Sequence, residues 1–423
     1  MATLSRKLLA LAACTTSLFA SEALVPVGKI QPQKMSEFGD MMSNTFGSPG
    51  ERQTAKEPIP SRGVLPNGEV PDSPWYVNRH ASTPMSIDEL KRGPGDTNPP
   101  AATGTWTIVS AKTEGVTPGF VIEDAKGDKY VIKFDPPRHP ELASGADVVA
   151  SKFFHALGYH VPENYVVHFD PSRLAIKKDG IKGLTKKKLK AALDRVRKEK
   201  DGSYRALASL YVKGEPVGPF FFHGVRADDP NDKILHEHRR ELRGLYLFSA
   251  WLNHTDSKSG NTLDVVVEGT GVRHVRHYLI DFGATLGSAT HEAKSPRQGH
   301  ENLIDMKPAL VQFFTLGLHV PKWARTELSD SPAVGAFEAE AFDPAHWKPN
   351  YPNPAFENRL PDDLKWAARK IATFTDDQIR AIVSTGQYSD PAAADWIVRT
   401  LIGRRDKIVR AYGDAVQAST RKE

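Results

Sequence analysis

Only one cysteine, Cys14, occurs in 423 residues. An internal disulfide is therefore excluded, as is any metal site built on several thiolates. Beyond the first two dozen residues, no run is long and apolar enough to cross a membrane as a helix. Neither sign of charge dominates: 56 Lys and Arg stand against 51 Asp and Glu, a net charge of +5, which is too balanced for a dedicated nucleic-acid binder. A Gly-x-Gly-x-x-Gly pattern, an Ala-Pro-Glu triplet and internal repeats are all missing. What remains, 39% hydrophobic and 25% charged, is the composition of a globular chain able to bury a sizeable core.

At the N-terminus, Arg6 and Lys7 precede an apolar run from Leu8 to about Ala20, the pattern of a secretory signal. Two processing routes stay open. Cleavage after Ser21-Glu22-Ala23 leaves a soluble chain, whereas Leu11-Ala12-Ala13-Cys14 reads as a lipobox in which a lipidated Cys14 becomes the membrane-attached first residue; Cys14 is equally at home as a small apolar residue of the signal. Each route predicts export to a periplasm, cell envelope or extracellular space, with the signal over 1–23. Residues 24–103 are rich in Pro, Gly, Ser and Asn and read as a linker or extended arm. Within it, Trp75 and Tyr76 are expected to anchor the arm, and Ser86 to cap a short helix.

From Gly104 the pattern changes. GTWTIVSAKTEG, GFVIEDAKG and DKYVIKFDP alternate apolar and polar residues between Gly-containing turns, which predicts three consecutive antiparallel strands with Lys133 at the end of the third. Val148, Val149, Phe153 and Leu157 then recur at helical spacing, and Gly158 is placed to end that helix. Residues 168–202 read as an insertion. It carries a helix capped by Thr185, apolar at Leu189, Leu193 and Val196 and basic elsewhere; the basic face is either solvated or a dock for an acidic partner or anionic lipid heads. ILHEHRRELRGLYLFSAWLNH predicts a helix buried through Leu242, Leu245, Phe248 and Leu252. Further on, FDPAHWKPNYPNPAFENRLP reads as a long surface loop, Thr375 to Gln378 as a capping box, and DPAAADWIVRTLIGRRDKIVRAY as an amphipathic helix.

The chemistry is concentrated in WLNHTDSKSGNTL and HYLIDFGATLG, which offer Asp256, Lys258 and Asn261, then Asp281 followed by Phe282 and Gly283. Phosphoryl transfer needs a carboxylate at the attacking hydroxyl, an amide oxygen and a second carboxylate for Mg²⁺, and a cation against the moving phosphoryl group. Hard oxygen ligands suit Mg²⁺, whose shell a polyphosphate completes.

HTDSKSGN and IDFG resemble the catalytic loop and DFG motif of the protein kinase-like superfamily. Thr255 stands where typical members have Arg, and the gap from Asn261 to Asp281 is longer than theirs, so the chain is more similar to an atypical branch such as the HipA-like kinases. The resemblance covers about residues 104–290. It implies an α+β fold of two lobes, a small antiparallel β lobe over about 104–167 and a larger, mainly helical lobe over about 203–415, followed by a tail at 416–423. It implies ATP and Mg²⁺ as cofactors and a hydroxyl on a protein or small molecule as acceptor. Asp256 would orient and deprotonate that hydroxyl, Lys258 would offset phosphoryl charge, and Asn261 and Asp281 would hold Mg²⁺. Lys133 would contact the nucleotide phosphates, positioned by Asp147 or Glu141 of the following helix. Thr113 and Gly115 would lie in the phosphate-covering loop, a place a plain hairpin turn would also fill. His254 is assigned a structural role only. Two other classes stay open: an exported pseudokinase or nucleotide-binding scaffold without turnover, and a cell-envelope interaction protein in which the motif matches are accidental.

Overall fold

The computed structural model describes residues 23–54, 56–112, 118–181, 183–269, 271–315, 318 and 320–413. The signal segment with Cys14, the turn residues Thr113 and Gly115, and the tail at 416–423 lie outside the described residues.

The arm is built into the fold. Residues 25–33 run along the large lobe, where Gln33 N–H donates to Val217 C=O at 2.8 Å and Val27 and Ile30 bury against Val217, Val266 and Val275. Helix α1 (Glu37–Met42) follows, and then α2 (Ile87–Arg92), whose N-cap Ser86 forms a capping box with Glu89. Trp75 and Tyr76 are buried anchors between them. Tyr76 lies so close to Gly158 that a Cβ there would come within 2.2 Å of its ring, and Gly158 has φ +116°, so one glycine both ends a helix and admits the anchor.

In the small lobe, β1 (Trp106–Lys112), β2 (Gly119–Glu123) and β3 (Lys129–Lys133) pair antiparallel in sequence order. Their alternation sends Phe120, Ile122, Tyr130 and Ile132 into the lobe's core and turns Val121, Val131 and Lys133 to the other face. Helix α3 (Leu142–Ala156) comes next, then β4 (Asn164–Phe169), β5 (Leu174–Ile176), α4 (Lys186–Leu193) and β6 (Tyr204–Leu210). The finished sheet has six strands in the order β4-β6-β3-β2-β1-β5.

Two expectations are corrected by that order. The sheet is mixed, because β5 pairs parallel with β1 and covers an edge that would otherwise leave backbone groups unpaired. Residues 168–210 are also integral to the small lobe: β6 pairs with both β3 and β4, and Leu189 and Leu193 of α4 close the core beneath its basic face. Long-range pairing of this kind leaves no local signal in the chain.

The larger lobe is mainly helical. After the short strand β7 (Glu215–Pro216), α5 (Arg240–Leu252) is buried from Glu241 to Leu252, as a helix at the centre of a lobe must be. It starts later than its apolar pattern predicts, because the arm's Arg62 N–H takes the His238 carbonyl at 2.6 Å and leaves a 3₁₀ turn at His236–His238. The hairpin β8 (Thr262–Gly269) and β9 (Val272–Leu279) follows, then α6 (Met306–Phe314), α7 (Pro354–Glu357), α8 (Pro361–Ala372), α9 (Asp376–Ser384) and α10 (Pro391–Tyr412). Thr375 and Gln378 form the expected capping box on α9. Val149, Phe153 and Phe154 of α3 share this lobe's core with Trp251, Phe374 and Ile382, so α3 ties the two lobes together.

Burial of α3's end has a pH consequence. The His155 imidazole is pushed down to about 3 by burial, with Arg79, His160, Lys152 and Arg92 adding repulsion, and His160 is pushed down to about 3 by burial and Arg79. A histidine kept neutral in the fold contributes stability that is present above its unfolded value near 6.5 and is lost as pH falls toward the folded value. We expect the chain to lose on the order of 1–2 kcal/mol per such histidine between pH 7.5 and 5. Urea melts at both pH values should show a smaller loss for His155→Gln; equal losses would contradict the assignment.

Candidate active site

Asn253, in the left-handed region at φ +52°, caps α5 and turns the chain out of the helix. His254 N–H returns to Ser249 C=O at 2.8 Å, and a tight loop delivers Asp256, Lys258 and Asn261. The β8–β9 hairpin then brings the two motifs together. Thr262 pairs with Leu279, and Ile280 N–H donates to Asn261 C=O at 3.0 Å, so residues at either end of a full-length hairpin become neighbours. The long gap between Asn261 and Asp281 is this hairpin.

Asp256 is held from three sides. Asn261 Nδ2 donates to its Oδ2 at 3.0 Å and to its carbonyl at 2.8 Å, Asn350 Nδ2 reaches Oδ1 at 3.2 Å, and Lys258 Nζ lies 3.2 Å from Oδ2. Lys258 also meets the Glu37 carboxylate of α1 at 3.4 Å. Burial pulls the Lys258 ammonium down, but Asp256 and Glu37 outweigh it and the group is raised overall.

Lys133 Nζ lies 3.0 Å from Asp281 Oδ2, and Asp281 itself adopts a left-handed φ of +59°. Burial pushes the Asp281 carboxyl up; Lys133, the Gly283 N–H and His254 more than reverse this. Asp147 is fully enclosed beneath them. Asn164 Nδ2 donates to it at 2.7 Å and the Phe282 and Gly283 backbone supplies further hydrogen bonds, yet burial first and Asp281 next push it up to about 7. Its charge acts on Lys133, whereas the hydrogen bond of Lys133 goes to Asp281. The structure does not bring Glu141 to this place. It precedes α3 in a left-handed turn, and its carboxylate accepts from Ser389 N–H at 2.7 Å, outside the cleft.

Phe282 stacks on Phe154 of α3 at 5.0 Å, and His254 packs against both rings. Burial pushes His254 down to about 4, so it is a neutral packing element.

These groups line one cleft of about 620 Å³ between the lobes. Val121, Val131 and Leu207 give it an apolar roof, while Lys133, Asp147, Asp256, Lys258, Asn261 and Asp281 form the polar floor. An apolar slot beside a few convergent charges is the usual form of a nucleotide-sized site. The donor set also fits Mg²⁺. Asp281 supplies a carboxylate, and Asn261 spends its N–H groups on Asp256, leaving its amide oxygen as a second hard ligand. Among the described residues no cluster of three or more His, Cys, Asp or Glu could hold a metal ion.

No family model matches the sequence, and no curated protein matches it. Among solved structures, the proinflammatory kinase CtkA of Helicobacter pylori aligns over 76% of this chain and 99% of its own, at 12% identity and a TM-score of 0.39. A Golgi casein kinase aligns over 78% of this chain and 77% of its own, at 9% identity and a TM-score of 0.33. With Mn/ADP bound, the Golgi casein kinase aligns over 78% and 76%, at 9% identity and a TM-score of 0.26. These scores are low, and the chemistry of the cleft stands on its own geometry.

Several lining residues escape a reading of motifs. Val121, Val131 and Leu207 were available as the polar-side positions of alternating strands, once Lys133 was placed. Asn350 had no such signal. It sits in the Pro- and Asn-rich stretch expected on the surface, but Trp347 of that stretch is buried with its indole N–H on Asn253 at 2.8 Å, and Asn350 N–H donates to Thr255 C=O at 2.7 Å. The stretch is a wall of the site. Glu37 was hidden in what reads as a linker; its neighbour Asp40 accepts from Ser259 at 3.2 Å and from Tyr351 at 3.0 Å, which fixes α1 against the loop that carries Asp256 and Lys258.

Proposed function

We propose that this chain is an exported ATP- and Mg²⁺-dependent phosphotransferase that acts on a hydroxyl of a protein or small molecule, standing nearer the HipA-like branch than typical protein kinases. The observation that carries the reading is the meeting of Lys133, Asp256, Asn261 and Asp281 in one cleft, with Lys133 3.0 Å from Asp281. Bound Mg²⁺ would supply positive charge against the phosphates. On this reading Asn261 and Asp281 hold the metal, Lys133 takes up phosphate charge beneath the apolar roof, and Asp256, fixed by Asn261 and Asn350, receives the acceptor hydroxyl and its proton. Lys258 offsets charge on the group in transit.

Thermal shift with ATP, with and without Mg²⁺, tests it directly, because a ligand that binds only the folded state raises the melting temperature. An Mg²⁺-dependent rise supports the site; no rise with any nucleotide overturns it.

Glu37 supplies a second test. Its carboxylate is 71% exposed and shares Lys258 with Asp256, so its pull on the ammonium is worth about 0.2–1 kcal/mol, as exposed ion pairs are. Glu37→Gln is expected to release Lys258 for phosphate and raise kcat/KM for the nucleotide by up to about fivefold. An unchanged or lower value would make the pair merely structural.

A further inference from the structure

The segment after Asp281 bends against backbone preference. Between Asp281 and Thr290 three non-glycine residues stand in the left-handed region: Asp281 at φ +59°, Leu286 at +49° and Thr290 at +69°. For a β-branched residue such as Thr290 this is a true outlier, and strain of this kind persists only where the surroundings over-determine it. Residues 287–294 supply part of that constraint as a tight hairpin. It is closed by the Ser288–Ala293 bridge, with Lys294 N–H on Gly287 C=O at 2.8 Å and Ala289 N–H on Glu292 C=O at 2.9 Å. Leu286 N–H ties its start to Leu252 C=O of α5 at 2.9 Å, and Ala336 N–H takes the Lys294 carbonyl at 3.0 Å.

Within this hairpin lies a buried cation that the proposed transfer does not use. Lys294 is 3% exposed, and its Nζ donates to Ala284 C=O and to Ser288 C=O, each at 2.7 Å. Among the described residues no carboxylate forms an ion pair with it. Burial pulls the ammonium down to about 7, while Asp256 works in the opposite direction and Arg404 adds to the lowering. An ammonium desolvated this far, with carbonyl oxygens in place of an ion-pair partner, is a poor device for stability, because an apolar side chain of similar length would fill the space without that cost. What it holds is position. The two carbonyls stand on either side of the bend at Leu286, and the hairpin tip beyond them reaches the cleft, where Ala289, Thr290 and His291 line the wall beside Asp256 and Asp281. Thr290 closes on the Gly283 backbone: a Cβ there would come within 3.2 Å of its Oγ1 and 3.5 Å of Asp281 Oδ1.

We infer that Lys294 is a positioning residue, whose buried ammonium presets segment 284–291 as the wall of the cleft that an acceptor meets, before any ligand binds. The acceptor's place there rests on the phosphotransferase reading, whereas the preset wall does not.

Hydrogen exchange on the full-length chain without nucleotide needs neither a variant nor turnover. The amides of Ser288, Ala289 and Lys294 are expected to exchange on the order of a hundredfold more slowly than in an open chain. Exchange at the open-chain rate would overturn the inference. Lys294→Met, which keeps the length of the side chain and removes its donors, should speed exchange at those amides about tenfold and leave those of α8 unchanged. The same variant should need ATP-Mg²⁺ within about twofold of the wild-type concentration for a half-maximal thermal shift, yet lower kcat for ADP release about tenfold, the split expected of a group that orients the reacting parts. An unchanged kcat, or a loss of nucleotide affinity that matches the loss of kcat, would make Lys294 structural alone and overturn the positioning role. A chain that no nucleotide stabilises would remove the phosphotransferase reading, and the exchange rates would still decide whether the wall is preset.

Discussion

Asp281→Asn is expected to abolish Mg²⁺-dependent stabilisation by ATP while leaving the apo melting temperature within a few degrees of wild type. The substitution is chosen for the backbone: Asp281 sits at φ +59°, and Asn is among the few residues that tolerate this region. What changes is charge. The carboxylate now faces Lys133 at 3.0 Å and is the one full negative charge assigned to the metal, and an amide oxygen is a far weaker partner for Mg²⁺. At ATP-Mg²⁺ a hundredfold above its dissociation constant, wild type gains about 2.7 kcal/mol, and the variant should lose nearly all of it. Lys133 would then turn to Asp147, whose carboxyl is pushed up by burial, and its position toward the phosphates would change, so weak metal-free nucleotide binding should weaken too. A wild-type shift in Asp281→Asn would place the metal elsewhere and remove this assignment.

The two lobes and the candidate site were legible in the chain to very different degrees. Strands β1 to β3 and helices α3, α5, α9 and α10 were readable because each carries its own period and its own caps: Ile132 and Lys133 alternate, Leu242, Leu245 and Phe248 recur at helical spacing, and Thr375 faces Gln378. The grouping of Asp256, Asn261 and Asp281 was legible as well, since one β-hairpin joins them. Contacts that depend on long-range closure were not. Nothing near Tyr204 says that β6 will enter the small sheet, and nothing near Glu37 or Asn350 says that an arm and a Pro-rich stretch will close on Lys258 and Asp256. Between Asp147 and Glu141 the chain alone could not choose with geometry; the choice falls to Asn164 and the Phe282–Gly283 backbone, which surround Asp147, while Ser389 holds Glu141.

Asp256→Asn should show the complementary defect: nucleotide binding retained, transfer lost. The acceptor can be replaced by water, so that slow ADP release from ATP reads the same step. Asp256 stands apart from the Lys133–Asp281 pair, and its neighbours Asn261 and Asn350 are donors aimed at its two oxygens. An amide at this position presents one N–H group to a donor, which costs about 1–3 kcal/mol of local hydrogen bonding and removes the base. The loss of general-base assistance alone is worth about 10²–10⁴ in rate. If Asp256 only oriented the hydroxyl, the amide oxygen of Asn would keep part of that function, and the loss would fall toward the lower bound and remain constant with pH. If it takes the proton, the variant rate should instead climb with pH as hydroxide replaces the missing base. Wild-type ADP release in Asp256→Asn, with the ATP-Mg²⁺ shift intact, would mean that the cleft binds nucleotide without using this loop for chemistry.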